Sequence, residues 1–199
     1  MTMQLIVLTA PEPAPREAET IRRLLDGGID RVHLRRPGIP EAEMRRLLDA
    51  LGSDLLPRIT LQEWLGLATE YGVGGVHLNQ RNPAPPQGFH GLVSRSCHSF
   101  AELEEHPSCD YLFLSPIFDS ISKVGYTARF TAGALQEAAA WGILNGRVLA
   151  LGGVRPEYLP RIREYGFGGA VLMGSVWQAA AVGRLSELMD EIRKYRNDK

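Results

Sequence analysis

The chain has 199 residues, of which 44% are hydrophobic and 23% charged, and its formal net charge is −1. This balance is typical of a globular protein and argues against binding to nucleic acid or to an anionic membrane surface. No stretch approaches the roughly 20 apolar residues that span a bilayer. The two cysteines lack the spacing of a disulfide framework or a metal site, so we expect free thiols in a cytoplasmic protein.

Short runs rich in Val, Ile and Leu recur along the chain and predict eight strands. In chain order they are residues 5–8, 31–34, 58–61, 75–78, 92–97, 111–114, 148–151 and 170–173. Most intervals between them carry apolar residues at helical spacing, and so does the segment after the last run. The interval after the fourth run is different, because several residues there favour a loop in place of a helix: Pro83, Pro85, Pro86 and Gly88.

One local pattern repeats at residues 27–34, 71–78 and 165–172: a helix stop, an apolar residue, a tight turn and then a strand. Repetition of one helix-to-strand connection is typical of a repeating (βα) unit. An open doubly wound sheet is the competing fold, but the eight strands and the lack of a dinucleotide-binding fingerprint favour a closed barrel. We therefore predict an α/β protein, a compact (β/α)8 TIM barrel with parallel strands, forming a single domain over residues 1–199.

Polar side chains occupy alternate positions at the ends of several predicted strands. Successive side chains of a strand point to opposite faces, and the apolar side chains of these strands should pack against the helices. We therefore expect the alternating polar side chains to point toward the barrel axis. A single histidine of this kind is more often a structural residue, so it is their convergence at one mouth that indicates a site. The predicted inward residues are His33, Arg35, Thr60, Gln62, His77, Asn79, Ser96 and His98.

Two strand ends late in the chain contain glycine. Gly152 and Gly153 follow the seventh strand, and Gly174 and Ser175 follow the eighth. Glycine lets backbone N–H groups approach an anion closely, and phosphate sites after strands seven and eight recur in barrels. Either of these two pairs, taken alone, is explained equally well by an ordinary turn that binds no anion. The loop after the sixth strand carries Ser120, Ser122 and Lys123, which suit either an anion or an ordinary surface turn.

These residues resemble the thiamine phosphate synthase/TenI family from about residue 5 to residue 176. The matching segments are His-Leu-Arg-Arg-Pro at 33–37, Gly-Val-His-Leu-Asn-Gln at 75–80, Ser-Cys-His-Ser at 96–99, Ser-Pro-Ile-Phe-Asp-Ser-Ile-Ser-Lys at 115–123 and Ala-Leu-Gly-Gly-Val at 150–154. A glycine series through residues 166–175 completes them. The chain is therefore identified as a divergent member of that family.

The resemblance implies a pocket for a thiazole phosphate. Its phosphate would lie at the two glycine turns already described. In the loop after strand six, two serine hydroxyls would replace family threonines as donors, and a lysine would be the cation facing a phosphate or pyrophosphate. The residues so implied are Gly152, Gly153, Gly174, Ser175, Ser120, Ser122 and Lys123, with Arg35 and Ser96 as remaining pyrophosphate contacts.

The resemblance also implies departures at the metal site. The synthases use Mg²⁺ held by two aspartates to stabilise the leaving pyrophosphate, whereas this chain has Gln62 and Asn82 at those positions and Pro37 in place of a lysine. A hard dication gains much less from amide oxygens than from carboxylates. We therefore predict no metal-binding residues, and no cofactor except Mg²⁺ if the chain is an active synthase.

The leading functional hypothesis is a metal-independent, TenI-like role in thiamine biosynthesis, the tautomerisation of a phosphorylated thiazole carboxylate. The TenI branch has its catalytic histidine where this chain has Pro116, so His98 and His33 are the predicted proton carriers, beside Lys123 and Arg35 as the other catalytic residues. An active synthase joining a pyrimidine pyrophosphate to thiazole phosphate, and a non-catalytic thiazole-phosphate-binding barrel, remain as alternatives. Another phosphate-binding barrel, such as a sugar-phosphate isomerase, fits the loop after strand six less well. Small molecules are the expected partners, and a homo-oligomer is left open.

Overall fold

The computed structural model describes residues 3–119 and 128–197. Eight parallel strands close into one barrel in sequence order, with the last strand paired to the first. They are β1 Gln4–Leu8, β2 Arg31–Leu34, β3 Ile59–Leu61, β4 Gly75–Leu78, β5 Leu92–Cys97, β6 Tyr111–Leu114, β7 Val148–Leu151 and β8 Gly169–Leu172. The predicted (β/α)8 barrel is confirmed, while its extent as one domain over residues 1–199 stays a prediction.

Eight α-helices lie on the outside of the barrel in the part of the chain that the structure describes. They are α1 Glu17–Asp26, α2 Glu41–Leu51, α3 Leu67–Tyr71, α4 Phe100–Glu104, α5 Ala132–Ala140, α6 Leu159–Glu164, α7 Gly174–Ala181 and α8 Leu185–Asn197. Residues 79–91, between β4 and β5, contain no helix, so the predicted proline-rich loop is confirmed.

Local sequence explains the limits of these elements. Helix α1 ends before Gly27, and Gly28 then adopts a left-handed conformation with φ 107°, which glycine reaches without steric cost. Pro40 caps α2 with extended backbone angles. Strand β3 begins one residue later than predicted because a 3₁₀ turn runs through Leu56–Arg58. Strand β8 begins one residue earlier, at Gly169, where a Cβ atom would lie 2.3 Å from the carbonyl oxygen of Gln4.

The core has two layers. Side chains such as Val32 and Leu34 point outward and pack between the strands and the helices. A smaller cluster fills the barrel interior, and it consists of Ile6, Leu8, Tyr111, Phe113, Leu149 and Val171. This alternation is the one expected of strands that face helices on one side and the barrel axis on the other.

Arg31 lies in the interior at the amino end of the strands and is 8% exposed. Its guanidinium donates to the carbonyl oxygens of Ile59, at 2.8 Å, and Pro57, at 3.1 Å. Burial lowers the pKa of this guanidinium from its usual value. A buried, hydrogen-bonded guanidinium thus lies at the amino end of the barrel, below the apolar interior cluster.

Both cysteines, Cys97 and Cys109, are free, as predicted, and both are buried. Burial raises the pKa of the Cys97 thiol to about 12, so this group stays protonated and weakly reactive. Within the described residues, no helix combines the length and the apolar character needed to cross a membrane.

Candidate active site

The mouth at the carboxyl ends of the strands is where the predicted polar residues meet. Strand register places His33 beside Thr60, and His77 beside Ser94. The rings of His33 and His77 lie 5.3 Å apart between their centroids. The prediction that strand-end histidines point inward is therefore confirmed for these two, but the three histidines lie in different environments.

His33 is buried inside the barrel, with 0% of its surface exposed. Its Nε2 lies 2.8 Å from the Tyr111 hydroxyl, and its Nδ1 lies 3.3 Å from the amide nitrogen of Gln62. Burial, followed by the neighbouring His77 and Arg31, lowers the pKa of His33 well below its usual value. The His33 ring is therefore neutral, unexposed and engaged at both nitrogens, and its role as a proton carrier stays a prediction.

His77 is almost as deeply buried, with 3% of its surface exposed. Its Nδ1 lies 2.9 Å from Ser94 Oγ, and its Nε2 lies 2.9 Å from Ser96 Oγ. Burial, with a smaller contribution from Arg95, lowers the pKa of His77 to about 3. The ring is neutral at physiological pH, and it joins a buried serine to one nearer the mouth.

His98 is the exposed histidine of this mouth, one residue beyond the end of β5. Its Nδ1 lies 3.2 Å from the carbonyl oxygen of Ser115 and 3.2 Å from Ser115 Oγ. A carbonyl oxygen only accepts hydrogen bonds, so Nδ1 carries the proton and Nε2 carries the free lone pair. No described residue hydrogen-bonds to that Nε2, so it is available to a ligand.

The backbone around His98 is fixed by the start of α4. The Ser99 hydroxyl accepts a hydrogen bond from the Glu102 backbone N–H at 3.3 Å, as the first residue of a capping box does. The Glu102 carboxylate accepts from the His98 backbone N–H at 2.9 Å. Hydrogen bonds to this carboxylate, first from the His98 backbone N–H and then from Ser99, together with the charge of Arg129, outweigh its desolvation and lower its pKa. The ring is thus attached to a well-anchored helix start.

The predicted phosphate turns lie side by side. Gly152 and Gly153 have φ angles of 97° and 64°. A Cβ at Gly152 would lie 2.8 Å from Pro116 Cα, and one at Gly153 would lie 2.4 Å from the carbonyl oxygen of Asp119. Both glycines are therefore required by the close approach of the segment after β6. The anion role predicted for them stays a prediction.

The second predicted phosphate turn, Gly174–Ser175, forms the first two residues of α7, a helix that has no side-chain N-cap. The first N–H groups of a helix lack intrahelical partners and attract anions. The Ser175 hydroxyl makes a long 3.5 Å contact with the carbonyl oxygen of Val154, directly after the glycine pair. Gly174 and Ser175 thus stand beside Gly153 at one side of the mouth.

The segment with Ser120, Ser122 and Lys123 lies outside the described residues, but both of its flanks are placed. The backbone N–H of Phe118 donates to the Gly152 carbonyl oxygen at 3.0 Å, and that of Arg129 donates to the Pro116 carbonyl oxygen at 3.1 Å. These contacts fix the flanks beside the glycine turn after β7.

Arg35 and Ser96 are only partly buried at the mouth. The Arg35 backbone N–H donates to Thr9 Oγ1 at 2.8 Å. The neighbouring Arg36 is 2% exposed and forms a buried ion pair with Glu17. In the described residues Arg35 has no carboxylate partner, which leaves its guanidinium available for a ligand.

The residues at the positions of the family's metal ligands do not suit Mg²⁺. The side-chain amide of Gln62 contacts His33, and the side-chain amide nitrogen of Asn82 donates to the Gln62 carbonyl oxygen at 3.3 Å. The neighbouring carboxylate of Glu63 forms an ion pair with Arg81. The described residues contain no group of three or more His, Cys, Asp or Glu that suits a metal ion. Neutral amides and a glutamate neutralised by arginine are a poor donor set for a hard dication.

Sequence reasoning missed several residues of this region. Ser94 and Tyr111 lie in the interior network, and the alternation of strand side chains could have placed both of them there. Ser115, which holds His98, is the first residue after β6 and was noted only as part of a motif. The ion pair of Arg36 with Glu17 joins β2 to the first turn of α1 and has no local sequence signal.

Comparisons with known proteins agree with this architecture. A crystal structure of thiamine phosphate pyrophosphorylase from Bacteroides thetaiotaomicron has 36% sequence identity and a TM-score of 0.86, with 97% of each chain covered. Thiamine-phosphate synthase from Latilactobacillus sakei is 27% identical over 66% of this chain, and the match spans 61% of that protein's own length. Thiamine-phosphate synthase from Syntrophomonas wolfei is 26% identical, over 89% of this chain and 86% of its own length.

The fold and its mouth define a (β/α)8 barrel with a polar site at the carboxyl ends of its strands. The family described as thiamine monophosphate synthase matches residues 4–176. The chain belongs to this family, and the predicted link to thiamine biosynthesis is confirmed.

Proposed function

We propose that this protein binds the phosphate ester of a thiazole at the mouth of the barrel and moves a proton on the thiazole ring without a divalent metal. The observation that carries the proposal is the state of His98. It is exposed, its Nδ1 is held by the Ser115 carbonyl oxygen, and its Nε2 is free. General acid–base catalysis needs such a positioned, reachable lone pair.

The phosphate would be bound at the two turns beside each other, Gly152–Gly153 and Gly174–Ser175. Backbone N–H groups at a glycine turn and at a helix start form an anion site that needs no metal. The flanks of the segment that carries Lys123 are attached to the first of these turns. A lysine there would supply a charge-assisted contact to the same phosphate.

The donor set at Gln62, Asn82 and Glu63 supports the metal-independent form of this proposal. Gln62 offers Mg²⁺ only a neutral amide oxygen, and a metal bound at Glu63 would have to compete with the ion pair between Glu63 and Arg81. A thiazole tautomerisation moves only protons and has no pyrophosphate leaving group, so it does not depend on charge neutralisation by a metal.

An active synthase is the second candidate, because the curated relatives are named thiamine-phosphate synthases. Arg35 at the mouth, which has no carboxylate partner among the described residues, would then stabilise the leaving pyrophosphate. Formation of thiamine phosphate from a pyrimidine pyrophosphate and thiazole phosphate, dependent on Mg²⁺, would establish this candidate.

The deciding experiment compares wild type, His98→Gln and His90→Gln for conversion of the phosphorylated thiazole carboxylate to its tautomer. His90 is a matched control, because it is an exposed histidine just before β5, at the opposite end of the barrel. We expect His98→Gln to lower the rate by about 10²- to 10⁴-fold, the usual contribution of a general base, and His90→Gln to leave it unchanged. Wild-type conversion no faster than the uncatalysed reaction would reject the proposal.

A further inference from the structure

His77 connects two serines whose exposure differs. Ser94 is fully buried, whereas Ser96 is only partly buried and lies closer to the mouth. His77 lies between them at 2.9 Å from each hydroxyl. A neutral imidazole has one donor nitrogen and one acceptor nitrogen, so it accepts from one serine and donates to the other.

The direction of these bonds is set at the buried end. The Ser94 hydroxyl lies 3.3 Å from the Val76 carbonyl oxygen and donates to it. Because a hydroxyl has one proton, Ser94 Oγ can only accept from His77. The proton of the His77 ring therefore lies on Nδ1, and Nε2 accepts from the Ser96 hydroxyl.

We infer that His77 is a positioning residue that turns Ser96 into a hydrogen-bond acceptor toward the ligand. With its one proton directed at His77 Nε2, the Ser96 oxygen presents lone pairs to the mouth. A phosphate oxygen would meet those lone pairs unfavourably, whereas an N–H or O–H group would be accepted.

This inference rests on the proposed function and specifies the ligand and its orientation. The phosphate lies at the turns after β7 and β8, and a hydrogen-bond donor of the ligand, such as a protonated ring nitrogen, an amino group or a hydroxyl, faces β5 at Ser96. It also revises the prediction of Ser96 as a phosphate contact, since an acceptor cannot stabilise an anion.

A histidine-selective NMR experiment on the full chain tests the direction of the bonds. Long-range ¹H–¹⁵N correlations of ¹⁵N-histidine-labelled protein report which ring nitrogen carries the proton. A His77→Phe variant assigns the signals, and contacts with the Phe113 ring, which stacks 4.9 Å from His77, assign them if that variant does not fold. We expect the Nδ1–H tautomer. An Nε2–H tautomer or an imidazolium would overturn the inference.

Titration with inorganic phosphate tests the consequence for the ligand. We expect Ser96→Ala to bind phosphate within about twofold of wild type, because no hydrogen bond to the anion is lost. Weakening of about tenfold or more would show that Ser96 donates to phosphate and would overturn the inference. If wild type does not bind phosphate, the proposed function fails, and the His77 spectrum still decides the direction of the bonds.

Discussion

Nδ1 of His98 lies 3.2 Å from the carbonyl oxygen of Ser115, at the junction between the ends of β5 and β6. This contact joins two neighbouring strands and leaves the other ring nitrogen pointing away from its anchor. In contrast, the rings of His33 and His77 have both nitrogens engaged inside the barrel. The difference between one histidine with a free ring nitrogen and two with both ring nitrogens engaged thus comes from their surroundings.

The first prediction concerns the anchor of His98. The carbonyl oxygen of Ser115 belongs to the backbone and survives any side-chain substitution, whereas its hydroxyl does not. We therefore expect Ser115→Ala to lower the rate of the proposed tautomerisation by less than about tenfold, far below the loss expected for His98→Gln. Steady-state rates of the two variants measure this difference, and an equal loss for both would place the functional contact on the Ser115 hydroxyl.

The second prediction concerns the turn after β7. Gly153 and Gly88 have similar left-handed φ angles, 64° and 72°, but a Cβ at Gly88 would meet no atom within 4 Å. The Gly88→Ala substitution should therefore lower the free energy of unfolding by about 1–2 kcal/mol, which is the cost of a left-handed backbone conformation for a residue with a Cβ. The Gly153→Ala substitution adds a clash between the new Cβ and the Asp119 carbonyl oxygen. It should therefore lower the free energy of unfolding by more than about 3 kcal/mol. Urea denaturation measures both losses, and similar values would contradict the close approach.

The third prediction concerns the buried pair of Arg36 and Glu17. Removing one partner of a buried ion pair leaves an unpaired charge and costs about 3–5 kcal/mol. We expect Arg36→Met to show a loss of this size at neutral pH, and the double variant Glu17→Gln, Arg36→Met to recover most of it. If the double variant is no more stable than the single one, the loss reflects packing and not the unpaired carboxylate.

The pKa of Glu17 adds a pH signature to this comparison. Burial raises the pKa of Glu17 above its usual value, against opposing contributions from Arg36. The stability from a carboxyl group of this kind is present below the pKa of the unfolded state and is lost as pH rises through the folded pKa. Arg36→Met should therefore regain stability as the pH is lowered toward 4.5. A loss that does not change with pH would contradict a charged Glu17 in this variant.

The fourth prediction concerns His33 and His77. Burial lowers both pKa values, that of His77 to about 3, so the unfolded chain binds protons near pH 6.5 that the folded chain does not. Stability should therefore fall as pH drops from 6.5, with about 2 kcal/mol lost at pH 5 through His77 and a further loss through His33. Urea denaturation between pH 7 and 5 measures the slope. A flat profile in this range would show that the rings become charged in the folded state.

The strands, the inward-pointing histidines and the glycine turns could be predicted from the sequence, because each has a local sequence pattern. Strand positions followed from short apolar runs, and the inward direction of His33 and His77 followed from the alternation of strand side chains. The glycine turns were predictable because left-handed angles and close backbone contacts favour glycine.

Other features depended on contacts that a single sequence does not show. Whether a histidine is reachable depends on where its strand ends: β5 stops at Cys97, so His98 is exposed, while His33 and His77 lie within their strands. The proton positions on these rings depend on partners in other strands, such as Tyr111 and Ser115. The pairing of Arg36 with Glu17 depends on how α1 packs against the end of β2.

A crystal structure with bound thiazole phosphate tests the central claim most directly. We expect the phosphate within hydrogen-bond distance of the backbone N–H groups at Gly152–Gly153 and Gly174–Ser175, with the thiazole ring against Nε2 of His98. A phosphate bound elsewhere on the barrel, or a ring turned away from His98, would contradict it.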